Sequence, residues 1–378
     1  MPLSREQICQ SASRKLAAAA GTLPSIKATI GLDGFVDEII GVVDKRRGEE
    51  FDAIPTIEAF GRKILAAMGQ SGNFELVVKH AKLGGNGPIM ANALAAAGLG
   101  VNYIGAVGFP AVHPAFNELK ERPNVTVKGI AEPGHTDALE FTDGKLMLGK
   151  YSHLTDVNWN NLMLRVGKDT VAAMVAESKV FGFVNWTMLP YLSDIWRQLL
   201  ASGFLTQGGV RRMFMVDLCD PEKRPSDHIA DAMEILTGAQ EQADVILGLN
   251  LKESTTIAEV IGVAVAGDPE PQIEQTAARI REKLNLSCVV VHPRRGAAAA
   301  TATETASFLG PFVKEPKIST GAGDHFNAGF CVGRVLGLSL AESLCTGVAT
   351  SGYYVRTGIS PAAKDLADFI ATLPAPQT

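Results

Sequence analysis

The sequence predicts a three-layer α/β/α protein with a mostly parallel central sheet and a small β-strand lid. Short apolar runs rich in Val and Ile alternate with longer helical patterns along most of the chain, the order that strand–helix–strand units produce. One region, Thr126–Lys150, breaks this alternation: it is strand-like and turn-rich, with Pro133-Gly134 and the hairpin signal Asp143-Gly144. Nearly half of the 378 residues are apolar, ample for a large core.

In chain order, residues 4–20 read as a surface helix and form an N-terminal helical extension, 1–26. The main domain then spans 27–375, with lid segments near 34–60 and 123–152. Strands are expected at Ile26–Gly31, Val101–Val107, Val180–Val184, Arg212–Val216, Val245–Gly248 and Cys288–Val291. Helical patterns cover Met90–Ala97, Ser193–Ser202, His228–Gln242, Gln272–Leu284 and Phe326–Leu336. In such sheets ligands gather at the carboxyl ends of the strands, so residues that follow strands carry the functional reading.

Composition excludes several classes. A net charge of −5 spread along the chain supplies no basic stripe for nucleic acid. Five scattered cysteines form no C-x-x-C pair, which argues against a disulfide framework or zinc site and for a reduced, cytoplasmic setting. No apolar stretch reads as a membrane span or signal-peptide core. Gly144–Lys150 satisfies most of the P-loop pattern, but Tyr151 stands where magnesium needs Ser or Thr. No G-x-G-x-x-G follows the first strand.

Four segments carry chemistry. Ser319-Thr320-Gly321-Ala322-Gly323-Asp324 puts three small residues at a helix start, where exposed amides and the helix dipole hold an anion. Asp324, an acid beside an anion site, suits proton abstraction from an attacking hydroxyl; a plain helix-start aspartate is the rival reading. Gly84-Gly85-Asn86-Gly87 either lets backbone approach a ligand, with Asn86 able both to donate to and accept from a hydroxyl, or is a plain glycine turn before a helix. Asp33 and Asp37, four apart after the first strand, suit polyol hydroxyls or are solvated loop acids. Asn250 and Glu253 follow a strand three apart. They either organise a hydrated magnesium ion or serve as a helix N-cap.

Taken together, in this order and at these spacings, the segments resemble the ribokinase-like (PfkB) carbohydrate kinases, from about Lys27 to Pro361. The resemblance implies transfer of the γ-phosphoryl of ATP to a sugar-like hydroxyl, with Mg2+ and with Asp324 as general base. Gly321, Ala322 and Gly323 would hold the transferring group. Asp33, Asp37, Gly84, Gly85 and Asn86 would hold the acceptor. Asn250 and Glu253 would position magnesium, Glu253 through water, and Arg295 or Arg294, Gly296 and Gly358 would lie near the nucleotide. The resemblance implies lid strands over the substrate, whose exposed edge suits a homodimer. Three departures stand out. Ile318 replaces the acid that helps bind a monovalent cation in many relatives. Ile89 replaces a ribokinase asparagine, which argues against ribose. An insertion spans about Asp44–Phe74. Rival readings are a nucleoside kinase, an ADP-dependent kinase and a catalytically silent binding protein of the same fold.

Overall fold

The computed structural model describes residues 3–265 and 267–376. Its fourteen strands are β1 (Lys27–Leu32), β2 (Phe35–Arg47), β3 (Glu50–Ala53), β4 (Leu76–Gly84), β5 (Gly100–Gly105), β6 (Val125–Gly129), β7 (Gly134–Phe141), β8 (Gly144–Lys150), β9 (Val180–Phe183), β10 (Met213–Asp217), β11 (Asp244–Leu249), β12 (Cys288–Val291), β13 (Gly296–Thr301) and β14 (Thr305–Leu309). Nine of them form the main sheet, in the order β14-β13-β12-β11-β10-β9-β1-β5-β6. From β12 to β6 every pairing is parallel; β13 and β14 close one edge as antiparallel strands. The parallel strands β9 and β12 are buried along their whole length, as strands covered on both faces must be.

Helices cover both faces. Arg5–Ala19, Asn86–Ala96, Ala322–Val335, Leu340–Thr357 and Ala363–Ala371 pack on one side, and Lys168–Glu177, Leu192–Ser202, Ser226–Ala239, Leu251–Val260 and Ile273–Leu284 on the other. The first helix is more than a surface appendage. Ser4 caps it with a capping box, and Ile8, Cys9, Ala12 and Leu16 enter the core shared with the last two helices.

Five strands build the lid, a second sheet ordered β3-β2-β7-β8 with β4 also paired to β2. The Asp143-Gly144 hairpin joins β7 to β8 as expected. The excursion is narrower and wider than the reading of Thr126–Lys150. β6 stays in the main sheet, parallel to β5, because Val125 and Val127 pack on the main core. β4, with its charged and mostly solvent-facing residues, joins the lid instead. Cross-strand register sets Asp37, Ile39, Thr136, Ala138 and Met147 on one lid face, and Ile40, Leu139 and Leu146 on the other. The 44–74 insertion supplies β3 and the helix Ile57–Ala66. Phe60 of that helix stacks on Phe141 with ring centroids 5.6 Å apart and meets Phe74 edge-on at 5.2 Å. The insertion therefore backs the lid from the face opposite Asp37.

Candidate active site

A cleft of about 480 Å³ opens at the carboxyl ends of the main-sheet strands. Asn86, Asp217, Asn250, Glu253, Gly321, Ala322, Gly323 and Asp324 all line it. These residues span more than two hundred positions of sequence, and the strand order brings them together.

The Ser319–Asp324 turn comes first. The amide of Ala322 donates to Ser319 O at 3.2 Å, and Gly321 has φ +89° and ψ 2°, the geometry of the third residue of a type II turn. A side chain at Gly321 would also meet Ile89 at 3.1 Å. Ile89, noted above for replacing an asparagine, is thus a packing wall for the turn. The helix Ala322–Val335 starts here, and the amides of Gly321 and Gly323 donate to no backbone acceptor. Amides of this kind, with the helix dipole behind them, suit an anion.

Asp324 is the third residue of that helix and is buried. Burial lifts its carboxyl well above the ordinary range, the charges of Asp217 and Asp33 add to the lift, and a hydrogen bond with the Asn86 side chain opposes it. A carboxylate of raised basicity at a cleft surface suits proton abstraction.

On the lid side, Asp33 is fully buried. Its carboxylate accepts from Asn86 N at 2.9 Å, Gly87 N at 2.9 Å and Asn185 Nδ2 at 2.7 Å. Burial still pushes it up to about 6. Its oxygens anchor the glycine turn: Gly85 has φ +99°, and a Cβ there would sit 2.8 Å from Asp33 Oδ2. Asp37 lies on β2 opposite Lys82 of β4, and a Cβ at Gly84 would fall 2.7 Å from its carboxylate. Burial raises Asp37, while Lys82 and a hydrogen bond from Thr136 lower it. Asn86 reaches the cleft; Asp33, Asp37, Gly84 and Gly85 stand behind it or at the lid base.

Across the cleft, the N-x-x-E segment forms the helix N-cap. Asn250 caps the helix Leu251–Val260, its Oδ1 accepting from Glu253 N at 2.9 Å while Glu253 Oε2 accepts from Asn250 N at 2.8 Å. Glu253 Oε1 accepts from Asp220 N at 2.9 Å. Beside it, Asp217 at the end of β10 takes Asn327 Nδ2 at 2.7 Å and is pushed up to about 8 by burial and then by the Glu253 charge. Two crowded carboxylates of this kind fit a hydrated magnesium ion, which needs few protein ligands beside water and phosphate. Among the described residues no group of three or more His, Cys, Asp or Glu side chains forms a fuller metal cage.

Arg294 lines the cleft and Arg295 does not; Arg295 borders a shallow depression with Glu270 and Ile273, its guanidinium 4.9 Å from the Phe312 ring centroid. Gly296 lines both. Gly358 lies off the cleft: at φ +76° it terminates the helix Leu340–Thr357, its amide donating to Tyr354 O at 2.7 Å. Asp217, Asn185, His292 and the wall of Val348, Ser351 and Gly352 were not singled out from sequence. Asp217 ends β10 and Asn185 lies just past β9, the signal that could have found them. His292 directly follows β12, and its buried Nε2 has no partner. Burial pushes that imidazole down to about 4.

A doubly covered parallel sheet, an anion turn carrying a buried acid and a β lid together define a ribokinase-like carbohydrate kinase. A sequence profile of the prokaryotic ketohexokinase family matches residues 6–373. A ketohexokinase of Haloferax volcanii is 30% identical over 346 residues, 91% of this chain and 90% of the relative. The chain belongs to the prokaryotic ketohexokinase family, and it is an ATP-dependent sugar kinase. The fold agrees with an Arabidopsis thaliana ribokinase complexed with ribose and ATP, at a TM-score of 0.62 and 17% identity, covering 92% of this chain and 98% of that one. It also agrees with phosphofructokinase-2 from Escherichia coli at 0.59 and 15% identity, with coverages of 92% and 98%. The nucleoside-kinase, ADP-dependent and silent readings are not favoured. No helix among the described residues is long and apolar enough to cross a membrane.

Proposed function

We propose that the acceptor is a ketohexose and that Asp324 is the general base. Similarity to the Haloferax volcanii ketohexokinase supports the acceptor, and the position of Asp324 supports its role: buried, bonded to the Asn86 side chain towards the lid, and one residue beyond the Gly321–Gly323 amides. The sugar lies between Asn86 and the lid face that bears Asp37, held in a turn that Asp33 keeps rigid. ATP lies along the opposite half of the cleft, its nucleoside against Phe312, Val348 and Gly352 and its phosphates towards Arg294, His292 and the turn. Asp217 and Glu253 are the residues that would hold Mg2+, Glu253 through water because both its oxygens already accept from backbone amides. Magnesium, when bound, neutralises phosphate charge. Asp324 takes the proton of the attacking hydroxyl, and the turn amides hold the charge on the transferring group. Lid closure excludes water and so limits hydrolysis of ATP. Ile318, at the position of the relatives' cation-binding acid, leaves turnover independent of potassium.

The experiment is an assay of sugar-phosphate formation with ketohexoses, aldohexoses, pentoses and nucleosides as acceptors, with ATP as donor (ADP released) and then with ADP as donor (AMP released). A ketohexose at the highest kcat/KM, with ATP only, is the expected result. A nucleoside or aldohexose as best acceptor would overturn the ketohexose assignment.

A further inference from the structure

His325 follows Asp324 and is buried, with its ring turned back onto the catalytic turn. Its Nδ1 lies 2.7 Å from Gly321 O and its Nε2 lies 2.8 Å from Ser360 Oγ. A carbonyl only accepts, so Nδ1 carries the proton and Nε2 accepts from the Ser360 hydroxyl. Burial pushes the imidazole down to about 4, which keeps this single neutral tautomer across the working range. The backbone amide of His325 reaches the same carbonyl at 3.1 Å. Tyr354 stacks on the imidazole with centroids 3.6 Å apart and planes 12° from parallel, and its hydroxyl donates to Thr320 O at 3.2 Å.

Two successive carbonyls of the turn are therefore held from behind. In a trans peptide the C=O and the following N–H point in opposite directions. Holding Thr320 O aims the amide of Gly321, and holding Gly321 O aims the amide of Ala322. These are two of the three amides assigned to the transferring phosphoryl group. The third, Gly323, follows them into the helix. The Ala322 amide meanwhile keeps only a long bond to Ser319 O, 3.2 Å, for which an incoming anion can compete.

We infer that His325, braced by Tyr354 and Ser360, is a positioning residue that preorganises the anion-holding amides for phosphoryl transfer. It touches neither sugar nor nucleotide; it acts through the peptide planes of the turn. Because the amides matter most when charge develops on the transferring group, the loss should fall on kcat and spare ground-state binding.

His325→Phe keeps an aromatic ring for stacking on Tyr354 and removes both polar contacts. His325→Asn keeps a donor at the place of Nδ1. We expect kcat to fall about 10- to 100-fold in His325→Phe, as for other small misplacements of catalytic groups, with both KM values nearly unchanged. His325→Asn restores most of that loss. Binding of MgADP with aluminium fluoride, a planar phosphoryl mimic, weakens in His325→Phe while binding of MgADP alone does not. If His325→Phe fails to fold, Tyr354→Phe deletes a single hydroxyl, and the same split is read there with a smaller drop in kcat. A folded His325→Phe or Tyr354→Phe enzyme with wild-type kcat, or a loss that His325→Asn does not restore, overturns the inference. It rests on the turn being the phosphoryl site. A wild-type enzyme inactive on every sugar would sink that reading, whereas an active wild type with indifferent variants sinks only this one.

Discussion

The carboxyl edge of the main sheet and the lid sheet are built on opposite principles. At the sheet edge, Asp33, Asp217, Glu253 and Asp324 are all buried and are held by backbone amides and by the side-chain amides of Asn86, Asn185 and Asn327. The lid has a thin apolar layer around Phe60 and Phe141 on one face, with surface ion pairs such as Arg46–Glu75, Lys79–Glu140 and Lys150–Asp137 elsewhere. Such pairs contribute little, about 0–1 kcal/mol each. The edge crowds buried acids together, and burial raises their pKa values. The lid is held by its thin apolar layer and by weak surface pairs. Rate should therefore respond to changes at the edge, and acceptor affinity to changes in the lid.

The largest expected effect is at the edge. Asp324→Asn should lower kcat by about 10²- to 10⁴-fold, the usual contribution of a general base, with little change in nucleotide affinity by isothermal titration calorimetry. Asp217→Asn comes next and sharpens the crowding argument, because it should impair turnover yet stabilise the ligand-free enzyme. Asp33 and Asp217 are raised to about 6 and about 8 in the fold, so these two carboxyls bind more protons in the folded enzyme than in the unfolded chain, an effect that the lowered His292 and His325 oppose only below the ordinary histidine range. Stability is then fully present below the ordinary carboxylate range and is lost as pH rises through these values. The ligand-free wild type should melt lower at pH 8 than at pH 5. Asp217→Asn should melt at least about 2 °C above wild type at pH 8 and near it at pH 5. A wild-type Tm that rises over this window would contradict the picture of crowded acids.

In the lid, Phe60→Ala removes the ring that joins the insertion helix to Phe74 and Phe141, a change worth about 3 kcal/mol or more for a buried phenylalanine. It should raise the sugar KM several-fold at nearly constant kcat; an equal loss in kcat would erase the contrast between the two regions. The smallest expected effect concerns assembly. β8 is an open lid edge with Leu148 half exposed, and we propose that it pairs with a second copy of the chain. Leu148→Lys should shift the mass seen in light scattering from dimer to monomer with modest loss of activity, and an unchanged mass would remove the lid from assembly.

Much of the catalytic edge was legible because its parts are local. The Gly321–Asp324 turn, the Gly84–Asn86 turn and the Asn250/Glu253 pair each announce themselves within a few residues, and Val- and Ile-rich runs marked the parallel strands. Asp217 and Asn185 escaped because each is a single polar residue at a strand end; only the strand order sets them against Glu253 and Asp33. β4 escaped because its solvent-facing lysines and histidine hide the period of a strand. Asp33 was read as an acceptor ligand, yet the structure commits its oxygens to the glycine turn, a role set by amides more than fifty residues away. His325 escaped as well, since nothing local reveals a ring that folds back onto Gly321 O.

The central claim is tested most directly by single-turnover transfer from ATP to D-fructose between pH 5 and pH 9, for wild type and Asp324→Asn. Asp324 must be ionised to accept the proton, so the wild-type rate should rise with pH and level off, while the variant stays slow and flat. A variant that keeps the wild-type rate and the same rising limb would show that another group takes the proton.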